Sequence, residues 1–331
     1  MKALIYQGPK EIAYKDVPEP VVEQGDALIK IDAVGICGSD MHAYLGHDER
    51  RPAPLILGHE AAGTVIEGKY KGQNVAINPL VTCGICESCL DGAPNLCASR
   101  QIISMAPRQG AFGEYLAIPE RNLILAPAGM EASKVALAEP VATGYHAVFL
   151  AHKHARRPLA EARALVFGAG AVGLSAALVL KAYGCYDITI AETNAGRLET
   201  ASQAGFDQQH NPLNDPSLNP SSFDIIIDAV GAKATRIAAS AAVKPGGVIV
   251  HVGLLDGADG LDIRRITLQE IAFIGCYTYS MVDFKAALNA LHSGALGALD
   301  WYEERPLSQG GQAFDDLLNA RSKAAKIILK P

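Results

Sequence analysis

Four of the chain's seven cysteines fall within fifteen residues, as Cys83-Gly-Ile-Cys86-Glu-Ser-Cys89 followed, after seven further residues, by Cys97. Three thiolates at a spacing of three wrap a loop around one tetrahedral zinc, and the fourth fills its last position. A closed four-thiolate shell leaves no place for substrate, so such a zinc is structural. Separate free thiols are the alternative, and they leave several reactive groups side by side. A nucleic-acid zinc ribbon wants two distant pairs and basic flanks, whereas Glu87 and Asp91 sit here. A second set is dispersed. Cys37-Gly-Ser-Asp-Met-His42 and Gly58-His-Glu60 supply a thiolate, imidazoles and a carboxylate from separate segments. Together they hold zinc with one position open for substrate; each fragment alone is equally an ordinary packed Cys or His.

Gly168-Ala-Gly170-Ala-Val172-Gly173 follows an apolar run and opens a helix, and Glu192 comes nineteen residues after Gly173 at the end of the next strand. In that context the glycines are a dinucleotide fingerprint. Gly168 permits the tight turn, Gly170 lets the backbone approach a pyrophosphate, and Gly173 allows close packing of helix on strand. The helix N-terminus supplies unpaired N–H donors to the phosphates. Glu192 accepts hydrogen bonds from the ribose diol and repels a 2′-phosphate, which favours NAD over NADP. Val172 and Arg197 complete the expected cofactor-binding set. The plainer reading is a strand-to-helix turn with a surface Glu.

The elements that must carry these groups divide the chain. At 331 residues there is room for two domains, and 49% hydrophobic with 19% charged residues is ordinary globular composition. Residues 1–142 read as short strands between Gly and Pro, among them 27–34, 63–66 and 74–77, which points to a β-rich domain. Strands at 164–167, 187–191, 223–230, 247–252 and 271–276 alternate with helices such as 174–183 and 197–204, the pattern of a parallel sheet covered on both faces. The polar stretch 211–222 is a loop, 284–293 and 312–319 are helices, and 325–329 is a terminal strand. The fold class is therefore α/β. An odd cysteine count argues against a disulfide framework. The longest uncharged run, 164–180, is 17 residues and broken by glycine, so no membrane span is expected. With Lys+Arg 29 against Asp+Glu 35, nucleic acid is not an expected partner. No export signal is readable at the N-terminus, which favours a cytoplasmic protein.

The sequence resembles the zinc-dependent medium-chain dehydrogenase/reductase family, nearer its polyol (sorbitol-like) and threonine dehydrogenases than its ethanol-type members. The motifs carrying the resemblance are GICGSDMH at 35–42, GHEAAGTV at 58–65, NPLVTCGICESCLDGAPNLC at 78–97, AFGEY at 111–115, EPVATGYHAV at 139–148 and the GAGAVG loop. It implies a GroES-like catalytic domain over 1–142 and a Rossmann NAD-binding domain over 143–280. The tail 281–331 is then expected to rejoin the first domain, with the last sheet strand at a dimer interface and a homodimer or homotetramer as the assembly. Cys37 and His59 match the catalytic zinc ligands, Glu60 the adjacent carboxylate, and Glu139 a carboxylate that approaches the zinc in the polyol-type branch. Cys83, Cys86, Cys89 and Cys97 match the structural zinc lobe, Ser39 and His42 the proton relay, and Asp40 the partner of the ligand histidine. Tyr44 and Phe112 are expected in the substrate pocket wall, with ordinary core positions as the alternative. Two features depart from the pattern: a short connection at 69–71, and the basic run HKHARR at 152–157, read as a solvated segment or a binder of phosphate.

The implied chemistry is hydride transfer from a secondary alcohol of a polyol or sugar to NAD. Threonine-type amino-alcohol oxidation, a non-catalytic zinc- and NAD-binding protein, and a zinc-free quinone-type reductase are the rival expectations.

Overall fold

Buried β-branched runs form the strands of the nucleotide half. The computed structural model describes residues 1–215 and 218–331; the loop expected over 211–222 thus includes two residues, 216 and 217, outside the described ones. Six parallel strands, Arg163–Phe167, Asp187–Ala191, Gln209–His210, Phe223–Asp228, Val243–His251 and Ala272–Gly275, make one sheet. Taken in chain order they lie 3-2-1-4-5-6 across it, the doubly wound arrangement. Residues 164–166 and 225–227 are fully buried, as central strands covered on both faces require. The order reverses between Arg163–Phe167 and Phe223–Asp228, and the crevice at their carboxyl ends is where such sheets bind ligands.

The N-terminal half is antiparallel. Asp26–Gly35 pairs with Glu60–Glu67, which pairs with Asn74–Ile77, and Leu123–Leu125 closes that side. Of the stretch 281–331, the strand Lys326–Lys330 pairs with Asp26–Gly35 and with Tyr302–Pro306, a strand absent from the sequence reading. The helix Met281–Ser293 instead buries Phe284, Ala287 and Leu288 in the core shared with the helix Ala138–His154 and the parallel sheet. Amphipathicity marks a helix but not the domain it covers, so the helix stays with the nucleotide half. Ala33, Ala62 and Ala76 join this same core, and their small side chains bring the helix Ala138–His154 close to the N-terminal sheet.

The basic run 152–157 ends that helix at the amino end of the parallel sheet, where Arg156 pairs with Glu270 at 2.6 Å. It lies away from the carboxyl-end crevice, so the solvated reading describes it. Among the described residues no helix is long and apolar enough to cross a membrane.

Candidate active site

Cys37 ends the turn after Asp26–Gly35 and starts the short helix Gly38–Tyr44, while His59 and Glu60 lead into the neighbouring strand. Gly35 and Glu60 are direct partners in that ladder, and a Cβ on Gly35 would lie 2.1 Å from Glu60 Oε2. Only glycine leaves room for the carboxylate there. One donor atom each from Cys37, His59 and Glu60 lie within 4.8 Å of one another. Glu60 Oε2 is buried without a hydrogen-bond donor, and His59 is 7% exposed. A thiolate, an imidazole and a partnerless carboxylate oxygen are a donor set that zinc fits.

Asp40 orients the histidine. Its carboxylate is fully buried, accepts from Cys37 N at 3.0 Å and Gly58 N at 3.3 Å, and faces His59 Nδ1 at 3.4 Å. That contact leaves Nε2 as the ring atom available to a metal. Burial alone raises an aspartic acid, but His59, Arg51 and the Cys37 amide together draw Asp40 down to about 2. Replacing it tests the arrangement. Asp40→Asn is expected to weaken zinc at the Cys37 site by about 10–100-fold, the usual loss on changing an outer-shell partner. Chelator competition reads this, with the four-cysteine site as internal control.

Two side chains that sequence reasoning did not single out control the carboxylates. Lys326, 4% exposed, donates to Glu60 Oε1 at 2.6 Å and to Ile36 O at 2.8 Å. Tyr279, 1% exposed, donates its hydroxyl to Glu139 Oε1 at 2.8 Å. Glu139, in the first turn of Ala138–His154, therefore borders the three-donor cluster rather than joining it. Burial, reinforced by the Glu60 charge, pushes its carboxyl up to about 7. A charged residue opening an apolar terminal strand was the available signal for Lys326; Tyr279 had none.

Ser39 and His42 follow Cys37 on the same short helix. Arg51, only 3% exposed, donates to Ser39 O at 3.1 Å and Ser39 Oγ at 3.4 Å and pairs with Asp48 at 2.6 Å. His42 is half-buried, and burial together with His47 lowers its pKa. Tyr44 and Phe112 differ from the pocket-wall expectation. Both rings pack on Phe314 inside the N-terminal core, at centroid distances of 5.1 and 6.0 Å. Phe112 is 0% exposed and backs the Gly58 turn, so it supports His59 from behind.

The four-cysteine lobe closes as its spacing requires. Sulfur–sulfur distances of 3.5 Å (Cys86–Cys89 and Cys83–Cys97) and 3.9 Å (Cys83–Cys89) bracket the about 3.8 Å edge of a tetrahedron with Zn–S near 2.3 Å. All four cysteines are free of disulfides. Amides of Ile85 and Cys86 donate toward Cys83 and pull its thiol down, while the neighbouring Cys89 and Cys83 sulfurs push Cys86 up, so the metal-free loop ionises unevenly.

In the nucleotide half Gly168 has φ +93° and a Cβ on Gly173 would lie 1.9 Å from Gly168 O, so the turn excludes side chains at both. Gly170 faces open space. Glu192 accepts from Ala169 N at 2.9 Å and from the amides of Thr193 and Asn194, which ties the acidic residue to the glycine loop. Val172 is in the first turn of the helix Ala171–Ala182, and Arg197 is in the first turn of Ala195–Gln203, its Nε buried without a partner. These residues fit a dinucleotide: an open glycine cradle at a helix N-terminus, with a carboxylate tied to it.

Comparison with known proteins agrees with this geometry. Residues 23–128 match the family described as "Alcohol dehydrogenase GroES-like domain", and residues 171–293 match "Zinc-binding dehydrogenase". The chain is 30% identical to a sorbitol dehydrogenase of Bacillus subtilis (strain 168), covering 100% of this chain and 97% of that one. It is 32% identical to an L-galactonate-5-dehydrogenase of Escherichia coli (strain K12), covering 99% and 98%. Among solved structures, acetophenone reductase from Geotrichum candidum NBRC 4597 in complex with NAD superposes with a TM-score of 0.88 at 25% identity, over 100% of this chain and 97% of that one. With a GroES-like half, a doubly wound half and full-length identity at this level, the chain is an oxidoreductase that belongs to the zinc-dependent medium-chain dehydrogenase/reductase family, in its polyol dehydrogenase branch.

Proposed function

We propose that the chain oxidises a secondary alcohol of a polyol or sugar to the ketone, with NAD as hydride acceptor and zinc held by Cys37, His59 and Glu60. The observation that carries this reading is the convergence of those three donors beside a second buried carboxylate, Glu139. Zinc at that place supplies Lewis acidity that lowers the pKa of a substrate hydroxyl, and NAD supplies the hydride acceptor. The chain's own residues do the rest. Asp40 fixes the His59 ring, Lys326 holds one oxygen of Glu60, and Tyr279 holds Glu139. Ser39 takes the proton leaving the alcohol and His42 passes it to solvent; burial lowers the pKa of His42, which keeps the imidazole neutral and able to accept. The carboxylate-rich setting favours substrates with further hydroxyls beside the reacting carbon. Glu192, tied to the glycine loop, favours NAD over NADP.

The relative acting on L-galactonate favours a second reading, a polyhydroxy acid. Against it, the buried cations near the cluster, Lys326 and Arg51, are both committed to protein partners. The strand Ala272–Gly275 is one of the two edge strands of its sheet and half-exposed, which supports a dimer through that edge.

The test is reduction of NAD and of NADP by zinc-loaded protein across hexitols, pentitols, aldonates, sugar phosphates, threonine and simple alcohols. Preference for one neutral polyol or sugar, with NAD ahead of NADP, is the expected result. Turnover of aldonates alone moves the assignment to sugar acids, and of threonine alone to amino alcohols. No turnover of any member removes the polyol reading.

A further inference from the structure

The four-cysteine lobe reaches the other half of the molecule at Tyr277. Asn95, six residues beyond Cys89 and 3% exposed, donates its side-chain amide to Tyr277 O at 2.9 Å. Arg100 donates to Cys97 O at 3.0 Å, places its guanidinium 4.8 Å from the Tyr277 ring centroid, and reaches the Tyr277 hydroxyl at 3.4 Å. Tyr277 is thus held by backbone and ring at once.

What Tyr277 begins is a strained turn. It leaves the strand Ala272–Gly275 after Cys276, whose amide is still tied to His251 O at 2.9 Å. Thr278 has φ +48°, the left-handed region that a β-branched side chain resists, and its Oγ1 is buried without a partner. Tyr279 then donates to Glu139, and Ser280 caps the helix Met281–Ser293 through Asp283. A conformation like that of Thr278 persists only where its surroundings over-determine it. The holders are the lobe at Tyr277, Glu139 at Tyr279 and the cap at Ser280. Pro94, beside Asn95, also lines a small cavity of about 70 Å³ together with Tyr279. The lobe's own short helix, Glu87–Leu90, buries no residue, so its shape comes from the four sulfurs meeting rather than from a hydrophobic core.

We propose that the four-cysteine lobe is a brace on the active-site cleft: Asn95 and Arg100 fix Tyr277, and through it the turn that carries the Tyr279 hydroxyl to Glu139. Asn95 and Arg100 are positioning residues in this scheme. Its catalytic consequence rests on the reading of Glu139 given above; the mechanical part does not.

The experiment compares zinc-loaded full-length protein with Asn95→Ala and with Arg100→Ala, the second an exposed residue whose loss leaves folding intact. Hydrogen–deuterium exchange is followed in peptides covering 276–280 and 83–97, alongside zinc content, kcat and KM. Exchange in 276–280 is expected to rise about five- to tenfold on loss of one buried hydrogen bond. The 83–97 peptides and the zinc content stay unchanged. On the alcohol found by the panel, kcat falls more than KM rises. Arg100→Lys, which keeps a cation over the ring, recovers part of the loss. Unchanged exchange at 276–280 in both variants overturns the brace. Faster exchange with an unchanged kcat overturns its link to Glu139. If no alcohol is turned over at all, the functional reading fails, while the exchange result still decides the brace.

Discussion

Cys37→Ser is expected to lower kcat/KM by at least about 1,000-fold while the fold and one of the two metal sites survive. The thiol is one of three donors within 4.8 Å of one another, and it is the only sulfur among them. It also precedes the helix Gly38–Tyr44 in the N-cap position, where serine is a favoured residue, so the substitution does not damage the helix start. Asp40 still accepts from the backbone amide at residue 37, a bond that does not involve the thiol. What changes is the donor: a hydroxyl stays protonated where a thiolate would be, and the metal loses its soft, anionic ligand. A metal acting on substrate oxygen contributes several kcal/mol to the transition state, and about 4 kcal/mol corresponds to the stated factor. Metal analysis should fall from two zincs per chain to one, because Cys83, Cys86, Cys89 and Cys97 form an independent set. Full activity with both zincs retained would show that Cys37 is a packed cysteine and nothing more.

The features visible in sequence were those written close together. Four cysteines within fifteen residues, and six residues holding three glycines between a strand and a helix, state their own geometry, because local spacing fixes which atoms can meet. The sheet strands were legible for a related reason: runs such as 225–227 are apolar on both faces, as a covered parallel sheet demands. The site's partners were not legible. Lys326 meets Glu60 across 266 residues, Asn95 meets Tyr277 across 182 and Tyr279 meets Glu139 across 140. Nothing in a single sequence marks such a pair until the chain is folded. Phe112 illustrates a different limit. An aromatic that walls a pocket and one that packs beneath it have the same composition, and only its 0% exposure separates them. The helix Met281–Ser293 was visible as a helix, but its apolar face does not say which half of the protein it covers.

The pairing of Lys326 with Glu60 leads to the second large effect. Both side chains are under 5% exposed, and a buried pair that loses one member leaves the other as an uncompensated charge. Lys326→Met keeps most of the volume and removes the cation, so the metal-free protein is expected to lose about 3–5 kcal/mol of stability. Burial by itself lowers a lysine's pKa, yet the neighbouring Glu60 and Cys37 hold Lys326 above its ordinary value, the direction expected of a cation paired with a carboxylate. Zinc bound by Cys37, His59 and Glu60 brings positive charge to the same carboxylate, so the zinc-loaded variant should lose less than the metal-free one. By the thermodynamic cycle, the Lys326→Met protein must then bind zinc at this site more tightly than the parent. Urea unfolding with and without chelator measures the two stabilities, and chelator competition measures the affinity independently. Adding Glu60→Gln to Lys326→Met removes the stranded charge and should recover most of the lost stability, which separates electrostatics from packing. Equal losses with and without zinc, and no recovery in the double variant, would mean that Lys326 acts through its aliphatic stem and the Ile36 carbonyl alone.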